Sequence, residues 1–412
     1  LNSRAHLFGT VGFGFVMCLS SGLGQTFFIS LFNDSLRAEF SLSHGEIGSL
    51  YFAGTLASAI TLFWLGKLVD SVDLRIYTLM VTIGLGLAAA FMANVEGALM
   101  LALAFYLLRL FGQGLSSHTG ITTVSRLRQG LRGRAVSVSG LGFSVAEAVL
   151  PWIIVPLVAT AGWRNVWISC ALITAISITI ITQALLHYMP ITKRANACDG
   201  SADPDDDSSW TRADVIRDKR FWMMAPALFA PSIISTALFF HQQSLASWKG
   251  FSFTLWAGNI ASYSLCAVCT SVVAGYLVDR HGAAPVVRLY LLPFCLSLLF
   301  AGWLDVTILP ALYYGAMGIT VGIAVPAVSA LWLELYGPRH LGAIRSFTHA
   351  LMVFGSALGP PLFGVLLDYG AGWQSILAGS IVWMLLCTVL FWRVDMRRLV
   401  SPTQQVAGSA QA

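Results

Sequence analysis

Two charges sit deep inside apolar sequence. Arg109 lies near the middle of the stretch 98–124, and Glu147 near the middle of the following one, 134–158. The other acidic residues of the 19, and the other basic residues of the 24, fall in loops, in the tail or near the ends of apolar stretches. Inserting either ion into hydrocarbon costs roughly 2.5–3.5 kcal/mol on the translocon scale, so intramembrane charges mark function. The chemistry these two offer is charge exchange. A guanidinium holds a carboxylate by charge-assisted hydrogen bonds, and a glutamate can load and release a proton. With the site empty the two would pair. Protonating Glu147 would free Arg109 to receive an anion, so that proton and anion cross together.

Helical phase adds polar neighbours. Arg109, Gln113 and Ser116 or Ser117 fall at i, i+4 and i+7/8, one stripe that Gly120 continues without a side chain. His118 falls on the opposite side. Asn259, Tyr263, Cys266 and Thr270 form a second stripe; Ser235 and Gln242 share a face, with His241 off it. Arg345, His349 and Ser356 form another. Stripes facing inward would enclose a polar cavity. Arg109, Gln113, Gln25, Gln242, Asn259 and His349 are therefore the candidate substrate ligands, and Glu147 the candidate proton carrier.

These residues must be held by membrane-spanning helices. The 412 residues are 57% hydrophobic and 10% charged, against about 25% charged in soluble domains. Twelve apolar stretches are long enough for about 30 Å of hydrocarbon: 7–32, 46–68, 76–94, 98–124, 134–158, 163–188, 221–246, 254–279, 285–303, 306–335, 340–367 and 372–393. Backbone groups in lipid must bond within their own segment, so each predicts a helix. The first stretch, long, carrying Gln25 and followed by eleven others, reads as a span and not as a cleaved signal. Twenty basic residues lie at the ends and even-numbered connections, three in the odd-numbered ones. That asymmetry predicts both termini in the cytoplasm.

The chain also repeats itself. GKLVDSVDLR at 66–75 returns as GYLVDRHGAA at 275–284, and AGWR at 161–164 returns as AGWQ at 371–374. Six segments thus recur in the same orientation. Between them, 189–220 holds seven aspartates and six basic residues around DGSADPDDDSSW, the composition of a solvated linker. The expected organisation is a six-helix bundle at 1–188, a cytoplasmic linker at 189–220, a second bundle at 221–393 and a tail at 394–412.

Twelve helices as six plus six, a long central loop and Gly-x-x-x-Asp after the second and eighth helices resemble the major facilitator superfamily over essentially the whole chain. The resemblance implies an all-α membrane protein, two parallel six-helix repeats and secondary transport by alternating access. It implies that Gly66, Asp70 and Arg75, and in the second copy Gly275, Asp279, Arg280 and Gly282, form cytoplasmic gate motifs. Ser71 and Asp73 replace the first copy's usual basic residue and glycine, and the second copy lacks the closing basic residues. RLFGQG at 109–114 approximates the family's Arg-x-x-Gln-Gly with one residue inserted. RGRAVSVSGLGFSVAEAVLP at 132–151 resembles the fifth helix of the monocarboxylate and oxalate/formate branch, although 254–278 lacks that branch's arginine.

The expected activity is proton-coupled transport of a small, monocarboxylate-like anion by a monomer in the plasma membrane (the inner membrane if the cell is bacterial). Proton-driven efflux of an amphipathic compound is the alternative. No enzyme activity, cofactor, metal or nucleic-acid partner is expected. The chain has no GxxxxGKS/T, HExxH or GxSxG motif. The CxxC of Cys266 and Cys269 lacks a second pair, and the +5 charge suits an anionic lipid surface.

Overall fold

A computed structural model describes residues 2–127, 131–188 and 210–394, and among them secondary structure is helical throughout. Among the described residues, twelve helices are long and apolar enough to cross a membrane. They are α1 (His6–Gly24), α2 (His44–Ser71), α3 (Leu74–Ala93), α4 (Ala98–Ser125), α5 (Gly133–Ala161) and α6 (Trp163–His187). After these come α7 (Lys219–Phe240), α8 (Phe253–His281), α9 (Ala283–Trp303), α10 (Leu309–Tyr336), α11 (Leu341–Asp368) and α12 (Trp373–Trp392). Large apolar side chains stand out from them: Trp64, Val272, Tyr276, Trp383, Leu386 and Trp392 are each more than half exposed. In water such a surface would aggregate; against lipid it is solvated.

The twelve segments match the sequence expectation closely, with local differences that have identifiable causes. The first stretch, expected to run to 32, breaks near its middle. Ser20 and Ser21 turn their hydroxyls back to the carbonyls of Met17 (3.0 Å) and Cys18 (2.7 Å), and two glycines follow. Both features weaken a helix. The chain tightens into a 3₁₀ turn over Ser21–Gly24, is extended at Gln25 (ψ 153°) and becomes helical again at Thr26. Residues 189–209 of the expected linker lie outside the described residues, which resume at Trp210. Thr211 and Asp214 form a capping box that starts a short helix, Arg212–Arg217. Buried Trp210 precedes it and donates its backbone N–H to the Tyr336 carbonyl at 2.9 Å.

The chain groups into two compact units. One comprises Leu1–Asn196, Thr236–Ala261 and Pro360–Gly370; the other comprises Ala197–Ser235, Ser262–Gly359 and Ala371–Ala412. In the first, Phe13 and Met17 of α1 pack with Val69, Tyr77, Val81, Leu110, Leu115 and Leu186. In the second, Phe221, Met224, Leu331, Trp332, Tyr336 and Phe391 lie in one buried cluster.

Within the first unit, the residues around α2's start and α11's end approach backbone to backbone. A Cβ on Gly48 would stand 2.8 Å from the Pro360 carbonyl, and one on Gly364 2.6 Å from the His44 carbonyl carbon. Asp368 fastens the contact. One carboxylate oxygen accepts from the His44 backbone N–H at 3.0 Å, the other from Gly45 at 2.7 Å. Beside it His241, 3% exposed, donates from Nε2 to the Pro360 carbonyl at 2.8 Å. Burial pushes the His241 pKa down to about 3.

Candidate functional site

The break in α1 meets a second irregularity. Residues Arg109–Ser116 of α4 form a π-helix, whose wider turn accommodates one extra residue. The inserted residue of RLFGQG is thereby absorbed within the helix. The Ser116 hydroxyl donates to the Phe111 carbonyl five residues earlier at 2.8 Å. Gly24 lies against this turn: a Cβ there would overlap the Leu108 carbonyl and stand 2.6 Å from the Gln113 nitrogen. Only glycine permits that approach.

Arg109 occupies this crossing, 2% exposed. It donates from NH1 to the Gly24 carbonyl at 3.2 Å, and its guanidinium carbon lies 5.3 Å from the centroid of the Tyr51 ring. The Tyr51 hydroxyl in turn is 2.6 Å from Thr26 Oγ1. The arginine thus takes up a carbonyl that the α1 break frees, while its Nε has no hydrogen-bond partner among the described residues. Gln25 and Gln113, both half-buried, flank the same crossing. Glu147 is half-buried on α5; its neighbour Ala146 faces α1, where a Cβ on Gly22 would stand 2.9 Å from the alanine methyl.

The second unit contains a cavity of about 740 Å³ lined from α7, α8, α9, α10 and α11. All the charge in its lining comes from α11, as Arg345 and His349, both exposed. Helical periodicity had placed these two on one face. Arg345 donates to the Ser329 carbonyl at 3.1 Å, which fixes one edge of its guanidinium and leaves other donors for a ligand. Ser235 and Tyr263, from the α7 and α8 stripes, line the same space. Ser232, Ser329, Ser346 and Thr348 join them, hydroxyls too common in spanning helices to be singled out by type.

The ends of α7 and α8 place the remaining candidates elsewhere. His241 (φ −101°, ψ 19°) interrupts the helix before Gln242, so the periodicity that paired Gln242 with Ser235 does not continue through it. The Gln242 amide is buried and donates to Ser30 Oγ at 2.8 Å and to the Phe27 carbonyl at 3.3 Å. Asn259 sits at the C-cap of a short first turn of α8 and donates to the Leu255 carbonyl at 2.7 Å.

At the other end of α2, Asp70 pairs with Arg126 at 2.6 Å. Arg126 also reaches the Val69 carbonyl at 3.4 Å, and His118 Nε2 lies 3.1 Å from the Gly66 carbonyl. The spacing of the motif gave no sign of either partner; both come from the end of α4. Arg75 follows an N-cap made by Asp73, whose carboxylate accepts the Arg75 N–H at 2.9 Å. In the second copy a Cβ on Gly275 would meet nothing within 4 Å among the described residues, Asp279 and Arg280 are exposed, and Gly282 adopts φ +81° before α9, a conformation that favours glycine. Glu334 caps α9, accepting from the Ala283 N–H at 2.8 Å.

Twelve helices long and apolar enough to cross a membrane, found among the described residues, together with a cavity holding an arginine and a histidine and a buried arginine, are features that suit a membrane carrier. The family model for the Major Facilitator Superfamily matches residues 14–262 and 244–410. The chain belongs to that superfamily; it is a multi-pass membrane transporter, not an enzyme. Solved transporters share its fold. A bacterial homologue of the human lysosomal transporter Spinster, inward-facing and occupied, aligns over 96% of this chain and 98% of its own at TM-score 0.71 and 12% identity. The nucleoside transporter NupG aligns over 94% and 98% at TM-score 0.72 and 14% identity. The bacillibactin exporter of Bacillus subtilis (strain 168) is 31% identical over 81 residues. That match spans 20% of this chain and 20% of the exporter.

Proposed function

We propose that this transporter moves an organic anion together with a proton by alternating access. The observation that carries the reading is the second unit's cavity, to which α11 presents Arg345 and His349. In this reading Arg345 and His349 bind the anion in one unit and Arg109 serves it in the other. Gln25 and Gln113 supply neutral amides along the pathway. Glu147 carries the proton: neutralised, it leaves an arginine charge for the anion to balance. Gly66, Asp70 and Arg75, with Gly275, Asp279 and Arg280, work as cytoplasmic gates. The transporter acts as a monomer in the plasma membrane, the inner membrane if the cell is bacterial, with both termini in the cytoplasm.

The test is uptake of labelled lactate, pyruvate, formate, oxalate and benzoate into proteoliposomes, with and without an inward proton gradient. Gradient-stimulated uptake of at least one acid is expected, with the stimulation lost in Glu147→Gln. No uptake of any acid by folded protein would refute the anion reading. Proton-driven efflux of an amphipathic compound is the second reading, favoured by the 81-residue likeness to a bacillibactin exporter. Export abolished by Glu147→Gln but spared by Arg109→Gln and Arg345→Gln would select it.

A further inference from the structure

We infer that the anion taken by the second unit's cavity is a monocarboxylate carrying a bulky, aromatic-sized apolar body; this rests on the proposed reading of that cavity as the substrate's. Size is the first argument. The 740 Å³ corresponds to roughly 25 waters at about 30 Å³ each, and falls within the range of about 300–1,000 Å³ typical of sites for drug-sized ligands. A three-carbon acid would leave most of that volume wet.

The distribution of chemistry is the second argument. Arg345, His349, Ser346 and Thr348 all come from α11, whereas α10 contributes Val321, Ala324, Val325, Val328 and Trp332 with Ser329 the sole hydroxyl. Phe229 and Tyr263 add aromatic surface from α7 and α8. The α11 side therefore suits a carboxylate, and the α10 side suits a flat apolar group. Charge number is the third argument. Among the described residues lining the cavity none is acidic, and Arg345 is the one permanently charged group. A dicarboxylate would bring a second charge with no fixed partner, and a cation would find no carboxylate.

Calorimetry on the purified full chain in detergent tests this with three probes: 4-phenylbutyrate, butyrate and 4-phenylbutyramide. Phenylbutyrate is expected to bind at least about tenfold more tightly than butyrate, the gain from covering a ring's worth of apolar surface. It should also bind at least about tenfold more tightly than the amide, the scale of a charge-assisted hydrogen bond. Arg345→Gln should erase the acid–amide difference. Val325→Trp fills the cavity from a side chain that is 64% exposed, and should erase the phenyl advantage.

Equal affinity for phenylbutyrate and butyrate would overturn the inference and leave anion transport standing. An amide bound as tightly as the acid would overturn the anion reading itself. Failure of all three probes to bind protein that still performs gradient-driven acid uptake would show that the cavity is not the substrate's, and would also overturn the inference.

Discussion

Replacing Asp368 with alanine should release the end of α11 from the start of α2. The carboxylate closes two backbone N–H groups, His44 at 3.0 Å and Gly45 at 2.7 Å, which α2 cannot satisfy from within. Its own capping box, Ser43 with Glu46, covers others and survives the substitution. Losing an acceptor at a helix N-terminus costs about 0.5–2 kcal/mol, and a charge facing the helix dipole adds about 0.3–1 kcal/mol. Asp368 is exposed, so the lower halves of both ranges apply, about 1–2 kcal/mol together. That corresponds to roughly 5–30-fold in the equilibrium between joined and parted ends.

Hydrogen–deuterium exchange on protein in lipid nanodiscs measures the change. Amides 44 and 45, and those around 360–370, should exchange about 5–30-fold faster in Asp368→Ala. Asp368→Asn, which keeps a neutral acceptor, should fall between. Glu46→Ala should loosen the start of α2 while sparing 360–370. Unchanged exchange in Asp368→Ala would refute the argument, because the close glycine packing would then hold the ends by itself.

Gly24→Ala should destabilise the first unit by roughly 1–3 kcal/mol or more, the cost of overpacking a fixed backbone contact; a thermal midpoint matching the parent protein would contradict this. His241 is neutral when folded, and its pKa of about 3 lies below its ordinary value near 6.5. Its stability contribution is therefore complete above pH 6.5 and declines as pH falls toward 3, by about 2 kcal/mol at pH 5. Thermal midpoints of the parent chain should drop between pH 7 and pH 5 more than those of His241→Gln, and parallel curves would exclude the effect. The groups acting on this imidazole are His44, Arg37 and Asp368. The Asp70 side chain is 72% exposed in its pair with Arg126, so Arg126→Ala should change stability by less than about 1 kcal/mol while altering the transport rate. A large loss of thermal stability with normal transport would reverse that assignment.

Composition and periodicity carried most of the architecture. Twelve apolar stretches had to become helices because lipid offers no partner to a free backbone group. The i, i+4 spacing of Arg345 and His349 predicted a shared face, and both line one cavity. Their helix is regular there, so phase counted from sequence survives in space. Phase fails where a helix is interrupted. Gln242 lies beyond the break at His241 and Asn259 at a helix end, and no residue pattern announces where such a break will re-aim a side chain.

The inserted residue in RLFGQG was visible as an irregularity. Whether the chain would loop it out or widen a turn depended on what pressed against α4, and that was the broken end of α1 at Gly24. Asp70 was legible as part of a repeated Gly-x-x-x-Asp motif, but its partner Arg126 was one among several basic residues until α4 placed it. Asp368 read as an ordinary helix-end acid; only the fold brings it to the N-terminus of a helix more than 300 positions away. Local sequence sets which segments are helical and which faces are polar, because those follow from solvent and period. Long-range partners belong to tertiary structure, because they depend on which helix ends packing brings together.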